Sequence, residues 1–221
     1  MLTDKYGIEK FMIDYPDMYI SPSREPGIIM QGIFAFTATP VDGIKMTDKY
    51  NLKITIPEIF PKEVPKVNEL NNKIPRDGNH HINQHDDTLC LGSPLRLKMI
   101  LYSNPTLVGF AENILVPFLY AMTHERFFPG NLPADELEHG EEGILHDYYE
   151  LFKLESPKQV YAALRILGLK KRIANKEPCP CNCGKRYGNC NYNKRLEKFR
   201  LLATKGWFRN HADNLGGIIT N

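Results

Sequence analysis

The sequence predicts an α+β protein with a small cysteine-rich unit near its C-terminus. Residues 28–38 are apolar and rich in β-forming side chains, and residues 51–56 alternate polar and apolar side chains, as in a strand with one buried face. Residues 106–122 are apolar on nearly every side, which is typical of a buried helix. Four of the five cysteines lie within residues 179–190. Strands followed by helices favour a layered α+β core, and the cysteines mark a separate feature.

Local patterns also predict the elements before residue 100. Scattered apolar side chains in residues 1–20 predict a short amphipathic helix that ends near Pro16. At least two strands precede residue 57, and the prolines of residues 57–65 predict an ordered crossing built of turns. Residues 71–99 are polar and irregular, so we expect a loop that holds reactive side chains.

The second half of the chain is predicted to be helical. Residues 129–150 are acidic and contain several glycines and prolines. A short helix is expected where this segment ends, over residues 145–154. Ser156 and Pro157 have the residue types of an N-cap and a first helical position, and the helix that they begin is expected to reach about Asn175. The apolar residues near Leu196 lie among lysines and arginines and predict a basic amphipathic segment.

The charge of the chain is divided unequally between its two parts. The formal net charge is +2, but residues 151–221 hold 15 Lys and Arg against 4 Asp and Glu, so residues 1–150 carry a balance of −9. We therefore expect three parts: a core over residues 1–152, a helical linker over 153–177, and a C-terminal knuckle with a basic tail over 178–221.

Composition excludes several classes of protein. The longest apolar run has nine residues, far from the roughly 20 that a membrane helix needs, and no signal peptide is visible. We therefore expect a cytoplasmic protein without a membrane partner. One isolated cysteine and one tight cluster do not form a disulfide framework, so a secreted disulfide scaffold is excluded. The acidic core excludes a uniformly basic nucleic-acid binder, and nucleic acid stays an alternative partner of the basic tail alone.

The cysteine cluster predicts a structural metal site. Cys179, Cys181, Cys183 and Cys190 fit the four tetrahedral sulfur ligands that zinc favours. Pro180, Gly184 and Gly188 let a short loop turn around one ion without a core of its own. We expect one zinc ion. The alternative is a set of free surface thiols, which would oxidise or cross-link.

This segment resembles the zinc knuckle at the C-terminus of the SecA preprotein translocase. That motif is Cys-x-Cys, eight residues, then Cys followed by His or Cys, and this sequence matches it at Cys179, Cys181 and Cys190. Asn191 occupies the position of the fourth ligand, so Cys183 is inferred to replace it, with His211 or water as alternatives. The resemblance implies binding to partner proteins or nucleic acid.

The fifth cysteine, Cys90, follows a loop rich in polar residues. His80, His81 and His85 lie upstream, with two aspartates between them and the cysteine. A cysteine between two leucines is most often a small buried hydrophobe, but this many polar side chains would not line an apolar core. Two functional interpretations compete: a thiol nucleophile, or a metal-dependent enzyme that uses His81, His85 and Cys90.

Residues 50–91 resemble the core of ubiquitin-conjugating enzymes. In that family a strand leads to an aromatic-Pro-x-x-Pro-Pro-x-Val turn, a His-Pro-Asn tripeptide and a cysteine flanked by aliphatic residues. This sequence has Phe60-Pro61, Pro65-Lys66-Val67, His81-Ile82-Asn83 and Leu89-Cys90-Leu91 in that order. Val64 and Ile82 replace two of the family's prolines, the interval from Asn83 to Cys90 is one residue short, and the tryptophan expected soon after the cysteine is missing. Such departures are typical of the divergent bacterial branch, often encoded in anti-phage conjugation operons.

The resemblance implies an antiparallel meander sheet with flanking helices and a thioester chemistry. Cys90 would accept an acyl group from a separate activating enzyme and pass it to an amine. Asn83 would stabilise the oxyanion, and His81 or His85 would take a proton, with Asp86 or Asp87 orienting the amine.

The partners follow from this chemistry. No glycine-rich phosphate loop is present, so another protein must activate the modifier. The modifier is expected to be a ubiquitin-like protein or another protein with an activated C-terminus, and the acceptor a target protein. The alternative from another class is a non-catalytic module of the same fold, recruited through its zinc knuckle.

Overall fold

A computed structural model describes the chain over residues 5–24, 26–41, 43–77, 80–130 and 140–219. Its contacts divide the chain into two compact units. Unit 1 comprises Met1–Gly92 and Ile100–Glu136, and unit 2 comprises Ser93–Met99 and Leu137–Asn221. None of the helices in the described ranges has the length and apolar character needed to span a membrane.

This division differs from the three predicted parts. The second stretch of unit 2 begins at Leu137, before the predicted boundary at residue 152. Residues 153–177, predicted as a linker, contribute Val160, Leu164 and Leu167 to the buried core of unit 2. The change of charge near residue 151 therefore does not coincide with a change of core, because net charge reports on surface residues and not on which apolar faces pack together.

Unit 1 begins with a short helix and a four-stranded antiparallel sheet. The strand order is β1-β2-β3-β4, a meander in which each strand pairs with the next. The α+β class and an antiparallel sheet are confirmed, and three strands precede residue 57 where the sequence predicted at least two. The elements are α1 (Ile8–Asp14), β1 (Met18–Ser21), β2 (Ile28–Ala38), β3 (Met46–Ile56) and β4 (Lys66–Glu69).

One face of the sheet forms the core of unit 1. Met30 lies opposite Ile54, and Phe34 lies opposite Tyr50, so these side chains share one face and all are buried. At Gly32 the β2 backbone has φ of 133°, and an added Cβ would lie 2.2 Å from the carbonyl oxygen of Asp17. This position therefore requires glycine where β1 joins β2.

A long helical segment covers that face. It consists of α3 (Leu107–Phe110), a π-helical turn (Ala111–Leu115) and α4 (Val116–Phe127), preceded by α2 (Pro94–Ser103). The predicted buried helix is thus confirmed, and Thr106 caps it by accepting a hydrogen bond from the Gly109 amide. The phenolic oxygen of Tyr50 lies 2.7 Å from the Thr123 hydroxyl, a buried hydrogen bond that joins β3 to α4. The start of α2 at Pro94 shortens the loop predicted for residues 71–99.

Unit 2 is built from helices around its own apolar core. The side chains of Val160, Leu164 and Leu167 pack with Phe208 and Ala212 in this buried cluster. Ser156 caps α6 as predicted, but that helix ends at Gly168 and not near Asn175. The predicted helix 145–154 is longer and begins at Gly140. The helices are α5 (Gly140–Phe152), α6 (Pro157–Gly168), α7 (Lys171–Ala174), α8 (Tyr192–Leu196) and α9 (Lys205–Ile219).

Candidate functional site

The loop that contains Cys90 is attached to the last strand of the unit 1 sheet. The Leu89 amide donates to the Val67 carbonyl across 2.7 Å, and the Asn68 side-chain amide donates to the Asp86 carbonyl across 3.0 Å. Because β4 is the edge of the sheet, its free side is open to these two hydrogen bonds. The loop is therefore an ordered extension of the sheet.

The loop folds back so that its two ends lie side by side. Ile82 and Leu89 form an antiparallel bridge, and the Cys90 amide donates to the His81 carbonyl across 2.6 Å. The Asn83 amide donates to the Thr88 carbonyl across 2.8 Å and closes the turn. His81 and Asp87 have positive φ angles of 52° and 54°, which non-glycine residues seldom adopt. The tripeptide His81-Ile82-Asn83 is thereby held beside Cys90.

The Asn83 side chain has a partner that the sequence did not indicate. Its Nδ2 donates to the Thr88 hydroxyl across 2.8 Å, and that hydroxyl donates to Asp86 Oδ1 across 2.6 Å. Asp86 Oδ2 in turn lies 3.1 Å from Lys66 Nζ. The Thr88 hydrogen bond lowers the pKa of Asp86, which keeps this carboxylate ionised. A chain of hydrogen bonds thus fixes the Asn83 carboxamide in one orientation.

Cys90 is an exposed residue with a thiol that favours its neutral form. Partial burial of the sulfur raises the pKa of Cys90, while a backbone hydrogen bond at Gly92 opposes this effect more weakly. The thiol is therefore protonated at neutral pH, and its nucleophilic thiolate is a minor species.

The three histidines of this loop have different surroundings. The His80 Nδ1 lies 2.7 Å from Asp77 Oδ1, and the His81 ring makes an edge contact with the Phe118 ring at a centroid distance of 6.5 Å. His85 is exposed. His81, His85 and Cys90 do not form one of the close groups of possible metal ligands within the described residues, so the structure does not support the metal-dependent alternative.

The second candidate site is the cysteine cluster of unit 2. The ligand atoms of Cys179, Cys181, Cys183 and Cys190 all lie within 4.8 Å of one another, an arrangement that can hold a metal ion. Three of the sulfur–sulfur distances are 3.2, 3.6 and 3.5 Å. A disulfide would need about 2.05 Å. Four sulfurs at the zinc–sulfur distance of about 2.3 Å from one ion would stand roughly 3.8 Å apart, close to the observed spacing.

A tight hairpin brings these cysteines together. Pro178 and Arg186 form an antiparallel bridge, and the Cys179 amide donates to the Lys185 carbonyl across 3.0 Å. Between them Asn182 and Gly184 have φ angles of 61° and 73°, which turn the chain at the tip. Cys190 follows after a 3₁₀ turn, and its sulfur accepts from the Tyr192 amide across 3.4 Å.

The thiols of the cluster differ in acidity. Burial raises the pKa of Cys179 and of Cys181, whereas a hydrogen bond from the Lys185 backbone amide lowers the pKa of Cys183 to about 7. A cation among the four sulfurs would favour the thiolate at every position, because coordinating thiols are deprotonated.

Cys183 lies with the other three sulfurs, whereas His211 lies elsewhere in unit 2. The Tyr148 hydroxyl accepts a hydrogen bond from the Leu95 amide across 3.2 Å, and it is also hydrogen-bonded to His211 Nε2, 2.6 Å away. The imidazole also stacks on the Trp207 ring at a centroid distance of 4.6 Å. Burial lowers the pKa of His211 to about 4. His211 is therefore a neutral, partly buried residue of unit 2.

Comparison of the chain with models of protein families, with curated proteins and with solved structures finds no match.

Proposed function

We propose that unit 1 is a conjugating-type enzyme that carries a protein C-terminus as a thioester on Cys90 and transfers it to an amine. The observation that carries this proposal is the hydrogen bond from the Cys90 amide to the His81 carbonyl. It holds an exposed thiol beside the His81-Ile82-Asn83 tripeptide at a sheet edge. The meander sheet, the preceding helix α1 and the buried helix after the cysteine agree with the expected fold of such enzymes.

The proposed reaction has two acyl transfers. The Cys90 thiolate attacks an activated carbonyl presented by a separate activating enzyme, a sulfur–carbon bond forms, and the previous carrier group leaves. An amine of the target protein then attacks the same carbonyl. The carbon–sulfur bond breaks, an amide forms, and the Cys90 sulfur regains a proton.

Asn83 is the proposed oxyanion donor of this reaction. One hydrogen of its Nδ2 is used by Thr88, and the second is available for the oxygen that becomes negative in the tetrahedral intermediate. A preorganised donor of this kind contributes about 3–4 kcal/mol to the stability of the transition state. The Thr88 contact supplies the preorganisation.

A histidine of the loop is the proposed proton acceptor. His81 is the candidate whose backbone lies directly against Cys90, and exposed His85 is the alternative. A neutral imidazole accepts the proton of the attacking amine near neutral pH.

For unit 2 we propose one structural zinc ion held by Cys179, Cys181, Cys183 and Cys190. Four sulfur donors at tetrahedral spacing suit zinc, and a bound ion would fasten the hairpin to the helix that follows Cys190. The test is elemental analysis of the purified chain, with one zinc per chain expected. Cys183→Ser should lower zinc affinity, and an unchanged affinity would assign the fourth ligand to another group.

The partners of the proposed enzyme are an activating enzyme, a ubiquitin-like or other C-terminally activated protein, and a target protein. We propose that the protein acts in the cytoplasm of a bacterium. We propose also that its gene lies in an anti-phage or conjugation operon.

The decisive experiment is thioester formation. The chain is incubated with its activating enzyme, ATP and modifier, and a reductant-sensitive adduct is expected that Cys90→Ala abolishes. Cys90→Ser should give an oxyester that resists the reductant. An adduct that persists in Cys90→Ala would disprove the proposal.

A second candidate function is a binding module without catalysis. The raised pKa of Cys90 favours it, because the free site then holds little of the reactive thiolate. In that case Cys90→Ala would keep full biological activity, and loss of the zinc cysteines would remove it.

A further inference from the structure

The surface around the cysteine cluster carries an excess of positive charge that the proposed reaction does not use. Residues 170–200 contain ten Lys and Arg but two Asp and Glu, a balance of +8 in 31 residues. A divalent ion bound by four thiolates would add a net charge of −2, which leaves the segment strongly positive.

Most of these cations face solvent, with no acidic partner among the residues that the structure describes. Lys171 and Arg200 pair with Glu197. In the described part of unit 2, the other eight have no ion pair and all are exposed: Lys170, Arg172, Lys176, Lys185, Arg186, Lys194, Arg195 and Lys198. We call these eight residues the basic surface.

Three separate elements bring the basic surface together. The Gly188 amide donates to the Asn175 carbonyl across 3.1 Å, which holds the end of α7 against the cysteine hairpin. Lys171 Nζ lies 3.6 Å from Glu197 Oε2, so α7 also lies beside the 3₁₀ turn Glu197–Leu201. The helix α8 begins two residues after Cys190. The three elements that carry most of these cations therefore lie next to one another in unit 2.

The composition of this surface favours a nucleic acid over an acidic protein. Protein interfaces are anchored by aromatic and other large apolar side chains and are depleted in lysine. Here the exposed large apolar side chains among the described residues 170–201 are two aliphatic ones, Ile173 (43% exposed) and Leu201 (68%). Interfaces with nucleic acids are instead polar and strongly positive.

Exposed asparagines add hydrogen-bonding groups to the same loop. Asn182, Asn189 and Asn191 all face solvent in the segment that carries the cations of the hairpin and of α8. Carboxamides bind both phosphate oxygens and base edges, whereas the cations supply affinity without reading sequence.

We propose that the basic surface binds the phosphate backbone of a nucleic acid. The bound metal ion would hold the hairpin in the shape that presents the cations, and the contacts would be largely independent of sequence. This function is separate from the proposed chemistry at Cys90, so Cys90→Ala should bind nucleic acid as the wild type does.

The test is fluorescence anisotropy with the full, metal-loaded chain and labelled oligonucleotides of mixed sequence, both single-stranded and duplex. Arg172→Gln, Arg186→Gln and Arg195→Gln each remove one cation from a different element. Each should weaken binding and reduce the salt slope of log K by about 0.7–0.9, and the triple variant should bind at least about tenfold more weakly at moderate salt. A matched triple variant, Lys45→Gln with Lys49→Gln and Lys62→Gln, removes three exposed cations of unit 1 and should change little.

Several results would overturn the proposal. Absence of binding at low salt would do so, and so would equal losses in the two triple variants. Stronger binding of labelled polyglutamate than of either oligonucleotide would assign the surface to an acidic protein. Circular dichroism and zinc content of the triple variant establish that a loss of binding does not come from a loss of fold.

Discussion

The Asn83 side-chain amide donates a hydrogen bond to the Thr88 hydroxyl across 2.8 Å, at the turn that leads to Cys90. Thr88 can accept this bond because its own proton is directed to the Asp86 carboxylate. The two residues therefore form a fixed pair, and the orientation of the proposed oxyanion donor depends on Thr88.

Replacement of Thr88 tests this dependence. Thr88→Val removes both hydrogen bonds at nearly constant volume, so discharge of the Cys90 thioester to an amine should slow by about tenfold or more, part of the effect of losing an oxyanion donor. Thr88→Ser keeps the hydroxyl and should restore the rate. The Asn83 side-chain amide resonances should move in Thr88→Val and stay in Thr88→Ser, whether or not a thioester forms. Unchanged resonances in Thr88→Val would contradict the pairing.

The acidity of Cys90 can be measured without any partner protein. Because partial burial raises the pKa of its thiol, alkylation by iodoacetamide at neutral pH should be slower than for a cysteine in an unstructured peptide. The rate should rise by about tenfold per pH unit below the pKa, since only the thiolate reacts. Mass spectrometry of the peptide that contains Cys90 separates this reaction from the cluster. A rate equal to that of the free peptide would show that the fold leaves this thiol unperturbed.

Removal of the bound metal should destabilise unit 2. Chelation, or Cys181→Ser, should lower the free energy of unfolding of this unit by about 2 kcal/mol or more, because the ion binds the folded hairpin and not the unfolded chain. Cys90→Ser is the matched control, since it changes a cysteine of unit 1 and should leave the effect of chelation intact. Identical melting with and without chelator would contradict a structural ion.

The stability of unit 2 should fall in mild acid through His211. Its pKa is about 4 in the folded chain, and an unfolded histidine titrates near 6.5. The unfolded state therefore binds the proton first. The contribution of neutral His211 to the free energy of unfolding is complete above about pH 6.5 and is lost as the pH falls towards 4. The expected loss is about 2 kcal/mol, after allowance for the partial exposure of the side chain.

The substitution His211→Gln should weaken the dependence of the free energy of unfolding on pH in this range, as measured by urea unfolding. Exposed His146→Gln is the control and should follow the wild type, with any acid release of metal affecting both variants alike. Equal slopes in all three chains would contradict the assignment to His211.

Arg200, which is not part of the basic surface, should contribute more to the stability of unit 2 than the exposed cations of that surface. Its guanidinium donates to the carbonyls of Ile166, Leu167 and Leu169 at the end of α6, at 2.8–2.9 Å. Arg200→Met should cost about 2–3 kcal/mol, because it leaves carbonyls at this helix end without donors. Lys198→Met, two residues earlier and exposed, should cost less than about 0.5 kcal/mol. Similar losses in both variants would show that Arg200 does not cap the helix.

Local sequence patterns were sufficient to predict the helices and strands that bury one face. The alternation of Leu52, Ile54 and Ile56 predicted a strand, and the structure has it as part of Met46–Ile56. The Ser156 cap and the apolar helix after Thr106 were equally clear. The helix expected to reach Asn175 ends at Gly168, where Leu169 is extended and Arg200 donates to the last carbonyls, a contact between distant residues that periodicity cannot reveal.

The candidate sites were partly accessible from the sequence. Spacing alone identified the four cysteines of the cluster, and the order of residues identified the tripeptide beside Cys90. Thr88 was missed because a threonine two residues before a cysteine has no pattern of its own. The choice between Cys183 and His211 needed the path of the chain, which takes His211 to Tyr148.

By itself the sequence determined which side chains had to be buried, which residues had to turn, and that four sulfurs would gather around a short loop. These properties depend on a residue and its near neighbours, because burial periodicity and turn chemistry act over a few positions. Only the tertiary structure decided that Thr88 orients Asn83, that Arg200 caps α6, and that three elements carrying cations lie next to one another. Those relationships depend on the distance between groups, which the fold of each unit sets.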